Sequence, residues 1–242
     1  MKKTPETKNR SPYSAHRERQ RRRILDAARA VFDERGIDRV TMAELTAASG
    51  VQPSTMYQYF SNKEDIVWAL LGGVMEESAA RAKRIAAGAP NAYAEIASLF
   101  ESLADELTHS PATIRFMAQF DAMYARDWPA KQLLALESRI APGGFRALNK
   151  LIRKGMADGS LRGDLNPSLT MQAVLNAVIG AQRRLASLGT KVEQEYGQPV
   201  DRLFRETIRV ILMGLRAPES APAGKAQTQP RARRTAQKRS TR

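Results

Sequence analysis

The segment TMAELTAASGVQPSTMYQYFSNKE, residues 41–64, concentrates side chains that form hydrogen bonds without carrying a charge. Gln, Ser, Thr and Tyr donate and accept hydrogen bonds, but they rarely catalyse a reaction alone. Such side chains suit the recognition of a polar surface better than the breaking of a bond. Two helix-start patterns, separated by a Gly-Val turn, indicate that short helices present them.

Local signals predict a long helix followed by a short one at the start of this region. The first helix runs from about Arg17 to Arg35, with one apolar stripe at helical spacing, and Gly36 ends it. Thr41 and Glu44 have the spacing of a capping box for a second helix. That helix is expected to end near residue 49, with glycine in the turn that follows.

Two more helices are predicted after the turn. Pro53 suits the first position of a third helix, which ends near Tyr59. Ser61 and Glu64 predict a second capping box, for a fourth helix that ends near Ala87. A short helix after a tight glycine turn is typical of a helix-turn-helix.

A helix-turn-helix places its second helix in the major groove of DNA, which explains the residue types. Gln pairs with adenine, Ser or Thr bonds to several bases, and phosphates accept hydrogen bonds from Tyr, Thr and Lys. The apolar side chains between them are expected to pack the two helices together. Alternatives stay open, because Tyr57 and Tyr59 also fit a half-buried core and Gln52 also fits a plain helix cap.

The stretch RRRILDAARAVFDERGIDRVTMAELTAASGVQPSTMYQYFSNKEDIVWAL resembles the N-terminal domain of the tetracycline-repressor (TetR) family of bacterial transcriptional regulators. The resemblance covers about 50 residues. It rests on the Ile-Leu-Ala-Ala-Phe stripe, Gly36, Thr41, the glycine turn and the pattern Tyr-x-Tyr-Phe-x-x-Lys-Glu. A weaker resemblance, over residues 151–182, is to the stretch that leads into the dimerisation helices of such regulators.

The resemblance implies an all-α homodimer that binds a near-palindromic operator and is released by a small ligand. Matching positions imply side chains that face the bases: Gln52, Pro53, Ser54, Thr55 and Gln58. Four other matching positions imply contacts with DNA phosphates: Thr41, Tyr57, Tyr59 and Lys63. Many family members have Lys or Gly where this chain has Gln52-Pro53-Ser54, so the operator sequence is not implied.

The net charge of +14 lies on the two ends of the chain. Residues 1–23 hold nine Lys or Arg against two Glu, and residues 216–242 hold eight against one. Basic arms of this kind favour contact with nucleic acid, although they also fit solvated tails. The arginines expected along or in the minor groove are Arg17, Arg19, Arg21, Arg22 and Arg23.

Composition and spacing predict an all-α chain with an N-terminal helix-turn-helix domain, joined by a long helix to a C-terminal helical domain. The resemblance implies that this second domain serves ligand binding and dimerisation. The expected divisions are a disordered basic arm at 1–16, a DNA-binding domain at 17–78 with its motif at 41–60, a helical domain at 79–216 and a disordered basic tail at 217–242. Helices near 167–188 and 198–215 are apolar enough for an isologous four-helix interface, although their stripes also fit their own core.

An apolar cavity for a small apolar effector is a further expectation, since aromatic and Met side chains recur in the C-terminal half. The candidate lining consists of Tyr93, Phe100, Phe116, Met117, Phe120, Met123, Tyr124, Trp128 and Met156. His109, Arg115 and Asp121 could supply a polar anchor. Stripes of this kind also fit ordinary helix packing.

Several function classes are disfavoured by what the sequence lacks. It has no Cys and two His, and it contains no P-loop, no G-x-S-x-G and no metal-binding His pair, so neither an enzyme nor a cofactor is expected. The longest apolar run is too short to span a membrane, and a cytoplasmic protein is expected. The main alternative is a nucleic-acid-binding protein that acts through its tails with little sequence preference.

Overall fold

A computed structural model describes residues 12–142 and 144–218, which are helical throughout apart from short connections. The helices are α1 Pro12–Arg35, α2 Met42–Ser49, α3 Pro53–Tyr59, α4 Lys63–Gly88, α5 Ala92–His109, α6 Pro111–Tyr124, α7 Ala130–Ile140, α8 Gly144–Ala157, α9 Pro167–Leu188, α10 Lys191–Tyr196 and α11 Val200–Leu215. The predicted all-α fold class is confirmed.

Helix α1 begins earlier than the sequence predicts. It starts at Pro12, so residues 12–16 of the expected disordered arm are helical. Proline is compatible with the first turn of a helix, where its missing N–H is not needed. The arginines at 17 and 21 also lie over the rings of Tyr59 and Phe60, at 5.9 and 5.6 Å, which gives this half of α1 a packing partner. Residues 1–11 and 219–242 of the predicted arm and tail lie outside the described residues.

The start of α4 corrects a second expectation. Its cap is Asn62, whose Oδ1 accepts from the Asp65 backbone N–H at 2.8 Å, rather than Ser61. The Ser61 N–H in turn donates to Asp65 Oδ2 at 2.9 Å. The cap is therefore shifted by one residue, and the Asp65 carboxylate bonds to the residue before the cap rather than to the cap itself. Asn and Asp supply the same oxygen acceptors as the predicted Ser and Glu.

A short helix forms where the sequence predicts only a connection between the last two long helices. This helix, α10, buries Val192 completely and ends at Gly197, whose φ of 63° is left-handed. Prolines lie at the first turns of α6 and α9, and α7 and α8 are separate helices.

Two hydrophobic cores hold the helices together. The N-terminal core combines α1 to α4 with Phe116 and Phe120 of α6 and Leu136 of α7. The C-terminal core combines α5, α8, α9 and α11, with Phe100 and Phe204 among its fully packed rings. A division of the chain near residue 78 therefore does not separate the cores, because α6 and α7 complete the core that carries the helix-turn-helix.

Helix α8 lies close to Leu161 and Ala92 at Gly155. A methyl group at this position would lie 2.4 Å from Leu161 Cδ1 and 3.0 Å from Ala92 Cβ. Gly73 in α4 offers a contrast, because nothing lies within 4 Å of a methyl group there. The two glycines are both inside helices, so they differ mainly in the space around them.

We expect Gly155→Ala to destabilise the protein and Gly73→Ala to stabilise it. Alanine is favoured over glycine in a helix by about 1 kcal/mol, whereas overpacking a core costs about 1–3 kcal/mol. Urea unfolding of both variants measures the difference. Equal shifts of the two midpoints would contradict the packing described for Gly155.

Candidate nucleic-acid interface

Helix α3 buries one side chain and exposes a polar face. Met56 is fully buried in the N-terminal core, and Thr55 is half-buried. The exposed positions are Gln52, Pro53, Ser54, Tyr57 and Gln58. They fall on one side of the helix and carry no charge, so they could form directional hydrogen bonds with base edges.

The turn between α2 and α3 is fixed by Gly50. Its φ of 61° lies in the left-handed region, and its N–H donates to the Ala47 carbonyl at 3.2 Å. The guanidinium of Arg23 lies beside it, with Nη2 2.6 Å from where a Cβ would be. Glycine is therefore required both for the backbone conformation and for the approach of Arg23.

The predicted capping box at the start of α2 is confirmed. The Thr41 N–H donates to Glu44 Oε2 at 2.8 Å, and Thr41 Oγ1 accepts from the Glu44 N–H at 3.3 Å. Arg35 forms an ion pair with the same carboxylate at 2.8 Å. Together the Thr41 backbone N–H, its hydroxyl and Arg35 lower the pKa of Glu44 from 4.5 to about 2. The exposed Thr41 hydroxyl thus lies beside a carboxylate that Arg35 neutralises.

The other predicted phosphate ligands lie in different environments. Tyr57 is 57% exposed, and its hydroxyl can reach a ligand without displacing the core. Tyr59 is half-buried against the N-terminal core. Lys63 Nζ already donates to the carbonyls of Ile37 at 2.7 Å and Asp38 at 3.3 Å. Lys63 therefore fixes the turn after α1, in addition to any contact with DNA.

The five predicted arm arginines all lie within α1, which is a continuous helix from Pro12. An α-helix with its side chains is about 10–12 Å wide, whereas the minor groove of DNA is about 6 Å wide. Any contact of this segment along or in the minor groove would therefore be made by its side chains rather than by the body of the helix. Four of the five arginines are exposed and could contact phosphates along the groove: Arg17, Arg19, Arg22 and Arg23.

The nine side chains predicted to line an effector cavity are not brought together. Phe116, Met117, Phe120 and Tyr124 belong to the N-terminal core or pack against it. Trp128 is 51% exposed against the Phe120 ring, and Met123 is 37% exposed. Phe100, Tyr93 and Met156 belong to the C-terminal core or pack against it. The prediction of one shared lining is wrong, because the aromatic stripe of α6 faces α1 and α4.

The predicted polar anchors are also occupied by other contacts. Arg115 forms a bidentate pair with Asp33, Asp121 pairs with Arg183, and the His109 ring bonds to the Asp105 carbonyl at 2.8 Å. No local sequence signal predicts the pair of Arg115 and Asp33, because the two residues are 82 positions apart in the sequence.

Two open cavities lie on the described surface, and neither is lined by the nine predicted side chains. One, of about 740 Å³, is formed by the α8–α9 connection and the end of α11. The other, of about 400 Å³, lies between α4 and α7 and is lined by Glu76, Ala79, Ala80, Lys83, Arg139 and Ile140.

In residues 12–142 and 144–218, acidic and histidine side chains do not gather into a group of three able to hold a metal ion. Nor does any helix in those ranges combine the length and apolar character needed to cross a bilayer.

An exposed uncharged helix after a left-handed glycine turn, preceded by an arginine-rich helix and followed by a second helical core, defines a helix-turn-helix DNA-binding regulator. Residues 24–70 match the family model described as bacterial regulatory proteins, tetR family. This match identifies residues 24–70 as a TetR-type DNA-binding domain, and the relatives that the chain matches are transcriptional regulators rather than enzymes.

Similarity extends over most of the chain. The HTH-type transcriptional repressor KstR2 of Rhodococcus jostii is 23% identical over 211 residues, which are 83% of this chain and 93% of that protein. The structure of the ketosteroid regulator KstR2 of Mycobacterium tuberculosis has a TM-score of 0.62 and 20% identity, covering 82% of this chain and 96% of that one. FadR of Thermus thermophilus, solved with lauroyl-CoA, has a TM-score of 0.54 and 20% identity, covering 84% and 100%.

We expect the Glu44 charge to stabilise the folded protein at neutral pH and to lose this effect in strong acid. The pKa of Glu44 is depressed in the folded protein, so its stabilisation is present above about 4.5 and is lost as pH falls towards about 2. Glu44→Gln retains a capping acceptor but removes the charge. Urea midpoints of the wild type and this variant should therefore differ at pH 7 and converge near pH 2. A difference that stays constant over this range would contradict the assignment.

Proposed function

We propose that this protein is a homodimeric repressor that binds a near-palindromic operator and is released from it by a small effector. The observation that carries the DNA-binding part is α3, which buries Met56 and turns its uncharged polar face outwards. Gln52, Ser54, Thr55 and Gln58 would read bases, with Pro53 beside them. Thr41, Tyr57, Tyr59 and Lys63 would contact phosphates.

A single recognition helix touches only a few base pairs, so dimerisation is part of the proposal. Two such helices on a twofold axis, about 34–36 Å apart, would contact successive major grooves. The operator should therefore consist of two inverted half-sites about one helical turn apart. The arginines of α1 would add sequence-independent affinity through the phosphates.

The dimer is proposed to form through α9 and α11. Leu169 of α9 and Val210 and Met213 of α11 are 65%, 56% and 63% exposed, which is unusual for large apolar side chains. Small residues accompany them, since Gly180 and Gly214 have open space where a Cβ would be. A second copy of the same two helices would cover this surface and form a four-helix interface.

The effector is proposed to act through the C-terminal domain, and its identity is open. The likeness to FadR extends to the fold, and the lauroyl-CoA bound in that structure supplies a first compound to test. Such a molecule joins an apolar acyl chain to a polyanionic coenzyme A group, so only its acyl part matches the small apolar effector expected from the sequence.

We expect purified protein to select one family of genomic fragments at about 150 mM salt, near cellular ionic strength. The recovered sequence should be a palindrome bound at least about 10³-fold more tightly than random DNA. Recovery of random fragments with a steep salt dependence would instead support binding through the basic tails.

The same operator then tests the assignment of α3. Gln52→Ala should relax the preference at one base pair by about 1–3 kcal/mol, whereas Tyr57→Phe should weaken all sequences alike because it loses a phosphate contact. Tyr57→Phe is a cleaner phosphate variant than any change of Lys63, which also bonds to Ile37 and Asp38.

We expect Met213→Glu to convert the dimer to a monomer, because it would place a charge within the proposed apolar interface. Leu134→Glu is the matched control, since Leu134 of α7 is 62% exposed but lies outside α9 and α11. Sedimentation analysis of both variants measures the change. Dissociation by Leu134→Glu but not by Met213→Glu would refute this interface.

A further inference from the structure

Helix α6 holds the end of α1 through a row of polar contacts. Arg115 Nε and Nη2 donate to the two carboxylate oxygens of Asp33 at 2.5 and 2.6 Å. One turn before that pair along α1, Arg29 Nη1 donates to Thr113 Oγ1 at 3.3 Å. The contact that comes later in α1 also comes later in α6, so α6 runs alongside the last turns of α1.

The row ends in a clamp on the backbone, formed by Gln119. Its Nε2 donates to the Phe32 carbonyl at 3.1 Å, and its Oε1 accepts from the Ile37 N–H at 3.0 Å. Gly36, between these two groups, has a left-handed φ of 86°. One side chain therefore satisfies the last turn of α1 and the first residue after it, and so fixes the direction in which the chain enters the helix-turn-helix.

The clamped turn is held from its other side by α4. Lys63 Nζ donates to the Ile37 carbonyl at 2.7 Å, so Ile37 is bonded through its N–H to α6 and through its carbonyl to α4. Ile37 itself is 1% exposed. A displacement of α6 along its axis would break directional bonds here, whereas apolar contacts alone would allow some sliding.

The opposite side of α6 is attached to α9. Asp121, two residues after Gln119, forms an ion pair with Arg183, and both side chains are partly buried. The next residue towards the start of α9, Gln182, is 4% exposed and donates to the Leu103 carbonyl of α5 at 2.8 Å. Helix α9 is therefore fixed in the C-terminal core where it contacts α6.

We propose that α6 couples the α9 region to the helix-turn-helix, with Gln119 as the positioning residue. This inference rests on the proposed function, in which α9 contributes to the dimer interface. A change in α9 would shift α6, and Gln119 and Arg115 would pass that shift to the turn after α1. The orientation of α2 and α3 would then follow from a side-chain clamp rather than from movement of α4 alone.

The test uses the full-length protein without DNA or effector, by measuring amide hydrogen exchange in residues 37–60. Asp121→Asn weakens the attachment of α6 to α9, far from these amides along the chain. Gln119→Met removes both clamp bonds at nearly constant volume. Gln132→Met on α7 is the matched control, because Gln132 is exposed.

We expect Asp121→Asn to change exchange in residues 37–60 by about fivefold or more, the lower range of typical coupling between sites. In a protein that also carries Gln119→Met, the same substitution should have little further effect. The double variant with Gln132→Met should keep the full response. A structural role alone for Gln119 would give additive effects, and additivity would overturn the proposal, as would no response to Asp121→Asn.

A more conservative variant keeps the test valid if Gln119→Met does not fold. Gln119→Glu keeps the acceptor for the Ile37 N–H but loses the donor to the Phe32 carbonyl, so it should reduce the response to Asp121→Asn only in part. A full response in this variant would also count against the clamp. Because exchange is measured without DNA, failure here leaves operator selection unaffected, and failure to find an operator leaves the exchange result intact.

Discussion

A helix-turn-helix of about fifty residues buries too little apolar surface to be stable alone. In this protein the shortage is met by α6 and α7, whose Phe116, Phe120 and Leu136 enter the core formed by α1 to α4. Phe116 stacks on Phe32 with ring centroids 6.5 Å apart. The stability of the DNA-binding surface therefore depends on helices that lie beyond the long helix α4. The same dependence gives the C-terminal part of the chain a direct physical connection to that surface.

Charge and hydrogen-bonding capacity are distributed over different elements of this surface. The exposed side of α3 carries no charge, while α1 carries a run of arginines. Uncharged amides and hydroxyls bond in fixed directions and can distinguish base edges, whereas arginine contacts with phosphates add affinity without sequence preference. Under the proposed function, sequence preference and overall affinity would therefore vary independently, because they would arise from different helices.

Local features of the sequence predict local structure well. The capping box of Thr41 and Glu44, the glycine turn at Gly50 and the helix start at Pro53 are all recognised from neighbours within a few residues, and the structure confirms each. The second helix cap is predicted one residue too early. Ser61 and Asn62 are both good caps, and each has an acidic residue three positions later.

Contacts between distant residues were not predictable in the same way. An aromatic stripe such as Phe116, Phe120 and Tyr124 has the same helical spacing whether it lines a cavity or fills a core. Its true neighbours lie in α1 and α4, and the Tyr124 hydroxyl donates to Glu64 at 3.2 Å. The predicted polar anchors fail for the same reason, because Arg115 and Asp121 find their partners in α1 and α9.

The strength of the α1–α6 contact bears on whether it could serve regulation. Each neutral hydrogen bond contributes about 1 kcal/mol, and a partly exposed ion pair such as Arg115–Asp33 contributes about 1 kcal/mol or less. The two Gln119 bonds, the Arg29–Thr113 bond and this pair therefore amount to roughly 4 kcal/mol. Converting a two-state equilibrium from 1:99 to 99:1 requires about 5.5 kcal/mol. A contact of this size is large enough to hold one orientation of the helix-turn-helix, yet small enough for the binding of a ligand to reverse it.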